Sequence, residues 1–176
     1  MAFGSLLLRA TVGGLLMGHG LQKLTGAFEG PGLEGTTGMM TALGIHPPRQ
    51  NAVAVAAAET FGGAGIVLGA GTPAAAAAVI GAMVTAVRKV HWSNGPWNSK
   101  GGWEFNAALI AAVAALASDG PGPISVDGLL GRPRWGAGGA LFALAAGVAG
   151  SYAVTEYAKR AAPVEPVREE DGSPAA

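Results

Sequence analysis

The sequence predicts an all-α, polytopic membrane protein with five spans. Three observations carry this. Five apolar stretches run roughly over Phe3–Leu24, Asn51–Ala70, Ala74–Val90, Trp103–Ser118 and Ala137–Thr155, each near the length a helix needs to cross a hydrocarbon core. Charged residues make up 12 % of the 176-residue chain, about half the share that coats an ordinary soluble domain. The stretches also lack the polar stripe of a soluble amphipathic helix: Ala137–Tyr152 holds no charge, and Asn51–Ala70 holds one, Glu59.

The first stretch opens without the cationic block of a cleaved signal, because Arg9 sits inside the apolar run. It is therefore expected to be retained as a helix ending in His19-Gly20-Leu21-Gln22-Lys23-Leu24. A glycine- and threonine-rich loop follows, with Thr36–Leu43 as a candidate interfacial helix. Pro47-Pro48 suits the first turn of the second span. Spans two and three are joined by Gly69-Ala70-Gly71-Thr72-Pro73, a turn short enough to make them antiparallel neighbours. Thr72 is the expected N-cap there, and Pro73 the first helical residue. Span four begins at Trp103 and stops at Asp119-Gly120-Pro121-Gly122-Pro123. Span five follows Arg132-Pro133-Arg134-Trp135 and is expected to close with Tyr152, Tyr157, Lys159 and Arg160 at an interface. The tail from Ala161 is proline-rich and acidic, the composition of a disordered segment.

Five spans put Lys23, Arg49, Arg88, Lys89, Lys100, Lys159 and Arg160 on one side, and Arg132, Arg134 and Arg9 on the other. Basic loops stay in the cytoplasm, so the N-terminus is expected outside and the C-terminus inside. The small-residue pairs Gly14-x-x-x-Gly18 and Gly65-x-x-x-Gly69 are candidate helix contacts, since small residues let backbones approach in lipid.

A formal net charge of zero gives no electrostatic basis for nucleic-acid binding. The absence of cysteine excludes disulfides, thiolate catalysis and iron–sulfur clusters. Redox chemistry would thus need a quinone, another bound cofactor or a partner protein, and no covalently bound cofactor is expected. The ionisable residues of the spans gather at one depth. His19 and Lys23 share a face of span one. Glu59 lies about 12 Å into span two at 1.5 Å per residue. Arg88 and His91, three residues apart, end span three, and Glu104 and Asn106 open span four. A carboxylate at this depth is protonated, paired or facing water, and Arg88, Lys23 and His19 are the candidate partners of Glu59. His19, Glu59 and His91 are the candidate catalytic acid–base groups. Lys23, Arg88, Glu104 and Asn106 are the candidate substrate-binding groups. Lys89 points away from the Arg88/His91 face in α-helical geometry and is expected to be an interfacial anchor, and Arg9 is the weakest member. No two histidines share metal-ligand spacing within one helix and no paired Glu-x-x-His motif occurs, so no metal is expected.

These residues resemble the DoxX family of small integral membrane proteins. The matching pieces are Leu8-Arg9 with Gly13, His19-Gly20-Leu21-Gln22-Lys23-Leu24, Glu59-Thr60-Phe61-Gly62-Gly63, the Gly69–Pro73 turn, His91, Glu104 and the stretch Gly120–Asp127. The resemblance covers roughly residues 5–130. It implies a four-helix transmembrane bundle over residues 1–130, here with a fifth C-terminal transmembrane helix over 131–158 and an acidic tail over 159–176. It also implies the bacterial inner (plasma) membrane, and a link to quinone-coupled oxidation of sulfur compounds and to oxidative stress.

Three functions remain open at this stage. The first is a component of a quinone-linked redox system, in which the His/Glu/Arg/Lys cluster binds a quinone headgroup or a small sulfur-type anion. The second is a non-enzymatic membrane scaffold that recruits a soluble oxidoreductase. The third is a small transporter or proton path, since an intramembrane glutamate often marks one. The lipid bilayer, an oxidoreductase partner and a second copy of the chain are the expected associations.

Overall fold

The computed structural model describes residues 2–162, all of its regular structure helical; the acidic tail from 163 lies outside the described residues. Helix α1 spans residues 2–25: an α-helical part Ala2–Leu8, a wide π turn Arg9–Gly13, and an α-helical part Gly14–Thr25. Gly26 ends it in the left-handed conformation (φ 76°), and its N–H donates to the Gln22 carbonyl. Helix α2 (Gly32–Ala42) occupies the loop in which the sequence suggests Thr36–Leu43 as helical. Helix α3 (Pro48–Leu68) starts on proline at its first position, and α4 (Thr72–Asn94) ends in a π turn, Val87–His91, and a 3₁₀ turn, Trp92–Asn94. Helix α5 is Glu104–Asp119, α6 a single turn at Val126–Leu129, and α7 Gly136–Arg160.

Neighbours along the chain pack in order: α1 on α3, α3 on α4, α4 on α5. Helix α7 lies against both α4 and α5, while α2 closes the end of the α1/α3 pair. Val12, Leu16, Ile66, Val79, Ile80, Leu109, Val113 and Ala143 form one core shared by α1, α3, α4, α5 and α7. Among the described residues, three helices are long and apolar enough to cross a membrane: Pro48–Leu68, Thr72–Asn94 and Gly136–Arg160. Helix α5, at 16 residues, rises only about 24 Å, and α1 carries Arg9, His19 and Lys23 along its length.

The helix contacts run through small residues, but not all of the expected ones. Gly14 and Gly18 face open space. The α1/α3 crossing instead uses Gly13, Gly20 and Gly63, since a Cβ on Gly63 would sit 2.5 Å from Met17 N and 2.6 Å from the Gly13 carbonyl oxygen. Both obstacles are backbone and have no rotamer to adopt. Gly63→Ala is therefore expected to force α1 and α3 apart, costing about 2 kcal/mol. A fall in the thermal midpoint in detergent checks this.

The turn between α3 and α4 also differs from expectation in its cap. Gly71 (φ 54°), not Thr72, is the N-cap residue of α4, and no side chain of the turn caps the helix. Asp127, on α6, does so from across the fold: Oδ1 accepts from Gly71 N (2.7 Å), and Oδ2 accepts from Thr72 N (2.9 Å), the Thr72 hydroxyl (2.8 Å) and the Trp135 indole (3.0 Å). A carboxylate on the exposed amides of a helix start is well placed.

Candidate functional site

The two ends of the bundle hold different polar constructions. At the end where α1 begins, Arg9 is buried (3 % exposed). Its guanidinium donates to four main-chain carbonyls: Nε to Ile66 (3.1 Å), Nη2 to Val67 (2.6 Å), and Nη1 to Pro121 (2.7 Å) and Ile124 (2.9 Å). Ile66 and Val67 belong to the last turn of α3, where carbonyls lack their regular α-helical partners and carry the negative end of the helix dipole; the Ile66 carbonyl also accepts from the Gly69 amide (3.1 Å). Arg9 thus ties α1 to the end of α3 and to the Pro121–Ile124 loop. Arg9, expected as the weakest member of the polar set, lies at the end remote from His19, Lys23, Glu59 and His91, where it is a buried staple. Beside it, burial pushes the Asp127 carboxyl upward. The hydrogen bonds from the Thr72 amide and hydroxyl, the Trp135 indole and the Gly71 amide outweigh that effect and hold it below its ordinary value.

At the other end a cavity of about 380 Å³ opens between α1, α2, α3, α4 and α5. Its walls are mostly apolar, with Leu16, Met39, Met40, Ile45, Val55, Met83, Phe105 and Leu109 among them. Set into them are His19, Lys23, Glu59, Lys89, His91 and Asn106. Residues from four separate spans of the sequence therefore meet in one place. A larger cavity, about 850 Å³, lies at the Arg9 end between α1, α5 and the start of α7. Its charged residues, Asp119 and Arg134, are exposed, and it gathers no histidine or buried carboxylate, so the smaller cavity is the candidate site.

Glu59 is 4 % exposed, and its Oε2 accepts a hydrogen bond from Lys23 Nζ at 2.5 Å. Of its three candidate partners, Lys23 is the one that binds it. Lys23 can reach because Gly20, one turn earlier on α1, lets the helix close onto Ala56 and Thr60. Asn106 is buried, and its amide donates to Met83 Sδ (3.4 Å). His19 Nδ1 meets Gln22 Oε1 at 3.0 Å, and His91 Nδ1 meets the Gly101 carbonyl at 2.7 Å. Among the described residues, no three histidine or acidic side chains come together as a metal site.

Two expected members are elsewhere. Arg88 turns to α7, where Nη1 donates to the hydroxyls of Ser151 (3.1 Å) and Thr155 (3.2 Å) and Cζ stands 3.7 Å from the Tyr152 ring centre. Ser151 also accepts from Thr85. Arg88 is therefore a docking residue for the last helix, not a partner of Glu59. Glu104 is exposed, and its Oε1 accepts from the Asn98 amide (2.7 Å), fixing the turn before α5. Lys89, expected to anchor at the interface, lines the cavity instead. One cause accounts for both reversals on α4. A π turn takes more residues than an α turn, so the face assignments that α-helical spacing gives to Arg88, Lys89 and His91 do not hold through Val87–His91. No periodicity marks this turn in the sequence.

No curated protein and no solved structure matches the chain. The DoxX family model matches residues 4–92, from the first turn of α1 to the end of the α4 π turn, with Arg9, His19, Lys23, Glu59 and His91 inside the matched span and Asn106 and Asp127 beyond it. A match over just over half of the chain is decisive: it belongs to the DoxX family of membrane proteins.

Proposed function

We propose that the cavity binds the headgroup of a membrane quinone and that the chain serves as the membrane component of a quinone-linked redox system. One observation supports this above the others: a mostly apolar cavity at one end of a membrane bundle carries two histidines, a Lys23–Glu59 ion pair, Lys89 and Asn106. Apolar walls suit a flat ring and its tail, and the polar groups suit two ring oxygens. His19, His91 and Glu59 are the acid–base groups in this reading. Lys23, Lys89 and Asn106 position the ligand by hydrogen bonding. Arg88 and Glu104 have no part in it. The chain has no cysteine, so electrons would come from an oxidoreductase partner at the membrane. The count of loop cations places the cavity toward the cytoplasm, with the N-terminus outside, the C-terminus inside and five spans in all.

Organic extraction of the protein purified in mild detergent is expected to yield quinone. Added short-tail quinone is expected to raise the thermal midpoint, and His91→Phe, which keeps ring volume but loses the hydrogen-bonding edge, to weaken its binding about tenfold. An empty extract together with no thermal response to quinone overturns the reading.

A further inference from the structure

We propose that the cavity selects the reduced, hydroquinone form of its ligand over the oxidised quinone, because both of its histidines are left with a ring nitrogen that can only accept a hydrogen bond. The inference rests on the quinone reading above and adds the redox state that the site prefers.

The hydrogen bonds at the histidines fix which nitrogen carries the proton. A carbonyl oxygen has nothing to donate, so the 2.7 Å contact of His91 Nδ1 with the Gly101 carbonyl requires a proton on Nδ1. At His19 the partner is Gln22, whose orientation is set by its own amide donating to the Phe28 carbonyl (3.3 Å). Gln22 therefore presents Oε1 to His19 Nδ1, and that nitrogen too must donate. In a neutral imidazole the second nitrogen then holds a lone pair and no proton. Neither Nε2 has a partner among the described residues, and the two rings stand on different helices, α1 and α4, that both line the cavity. Two further acceptors join them. Asn106 gives one amide N–H to Met83 and keeps Oδ1 together with its second N–H, and Glu59 gives Oε2 to Lys23 and keeps Oε1.

The donors in the cavity lining are the ammonium groups of Lys23, one of whose protons is held by Glu59, and Lys89, with the second amide N–H of Asn106. A quinone has two carbonyl oxygens that only accept. It can use the lysines, but it offers no proton to the nitrogens of His19, which is exposed, and of half-buried His91, and wherever its ring displaces their water an acceptor is left without a partner. A hydroquinone hydroxyl donates and accepts at once, so it can engage a histidine Nε2 while its oxygen still takes a lysine N–H. One acceptor satisfied in one form and orphaned in the other is worth about tenfold in affinity. By the same reasoning a small sulfur oxyanion, which only accepts, is poorly matched to the histidines. Gln22 is a positioning residue in this scheme: it touches no ligand but sets the tautomer of His19.

The test is calorimetric titration of the full chain in mild detergent, without oxygen and at about pH 8, above the ordinary range of imidazole protonation. The probes are one short-tail benzoquinone and its two-electron-reduced hydroquinone. The expected result is binding at least about tenfold tighter for the hydroquinone. Gln22→Ala, which frees the His19 ring to change tautomer, is expected to shrink that ratio while leaving quinone affinity within about twofold. Nitrogen-15 NMR of histidine-labelled protein supplies a readout that does not depend on the variant folding: both rings are expected to carry the proton on Nδ1. Equal affinity for the two forms, tighter quinone, or a proton on Nε2 in either neutral ring overturns the preference and leaves the quinone site standing. Binding of neither form removes the quinone reading itself.

Discussion

Replacement of Arg9 by methionine is expected to produce the largest loss of stability of any single change in the protein. The substitution keeps most of the side-chain volume and removes the guanidinium, so the carbonyl oxygens of Ile66, Val67, Pro121 and Ile124 lose a charged donor together, with Ile66 retaining the Gly69 amide and Pro121 the Ser5 hydroxyl. A hydrogen bond from a charged donor contributes about 1.5–3 kcal/mol, and the loss is partly offset because water reaches the rim of this end. A net cost of about 3–4 kcal/mol follows, enough to remove much of the margin by which a typical domain stays folded. Thermal unfolding in detergent reads it directly, and a midpoint unchanged within error would show that the staple is dispensable.

The same end predicts a sensitivity to acid. The folded-state value of Asp127 lies below its ordinary one because hydrogen bonds to Thr72, Trp135 and Gly71 outweigh burial. Its contribution to stability is thus fully present above the unfolded carboxyl value, about pH 3.9, and is lost as pH falls through the lowered folded value. Asp127→Asn should flatten that acid limb of the stability profile while lowering stability at neutral pH. A limb of unchanged steepness in the variant would assign the acid sensitivity to other groups.

The second large effect is expected at the Lys23–Glu59 pair. Lys23→Met strands a carboxylate that is 5 % exposed at its side chain, whereas Lys23 itself keeps 21 % of its exposure. Breaking a fully buried pair costs about 3–5 kcal/mol; here screening through the cavity reduces this to about 2 kcal/mol. Glu59→Gln added to Lys23→Met removes the stranded charge, so the double variant should be more stable than Lys23→Met alone. The stability cycle should then show a coupling of at least about 1 kcal/mol. Additive single effects would mean that water in the cavity screens the two charges from one another. The cycle also separates structure from chemistry: a double variant with restored stability and lost quinone binding assigns the pair to the ligand.

The membrane character of the chain, the existence and order of its long helices, and the gathering of His19, Lys23, Glu59, His91 and Asn106 at one end were legible from residues alone. Each depends on local quantities: hydropathy over about 20 residues, helix-breaking Gly–Pro runs, and depth along a helix at a fixed rise per residue. The regular α-helical parts obey that arithmetic: Gly62 and Gly63, one turn beyond Glu59, lie on a packed face of α3.

Tertiary structure alone decided which neighbour each polar group meets. Arg88 and Lys89 exchanged roles because the turn between Val87 and His91 is wider than an α turn, and azimuth around a helix is lost once the residues per turn change. Arg9 and Asp127 became a pair of structural devices because their partners are carbonyls and amides more than fifty residues away, and main-chain atoms leave no trace in residue identity. Sequence thus determined what the chain must dissolve in and where its charges lie in depth. Rotation of the helices and the closing of distant loops determined which charges brace the fold and which face the cavity, since a hydrogen bond depends on direction as well as depth.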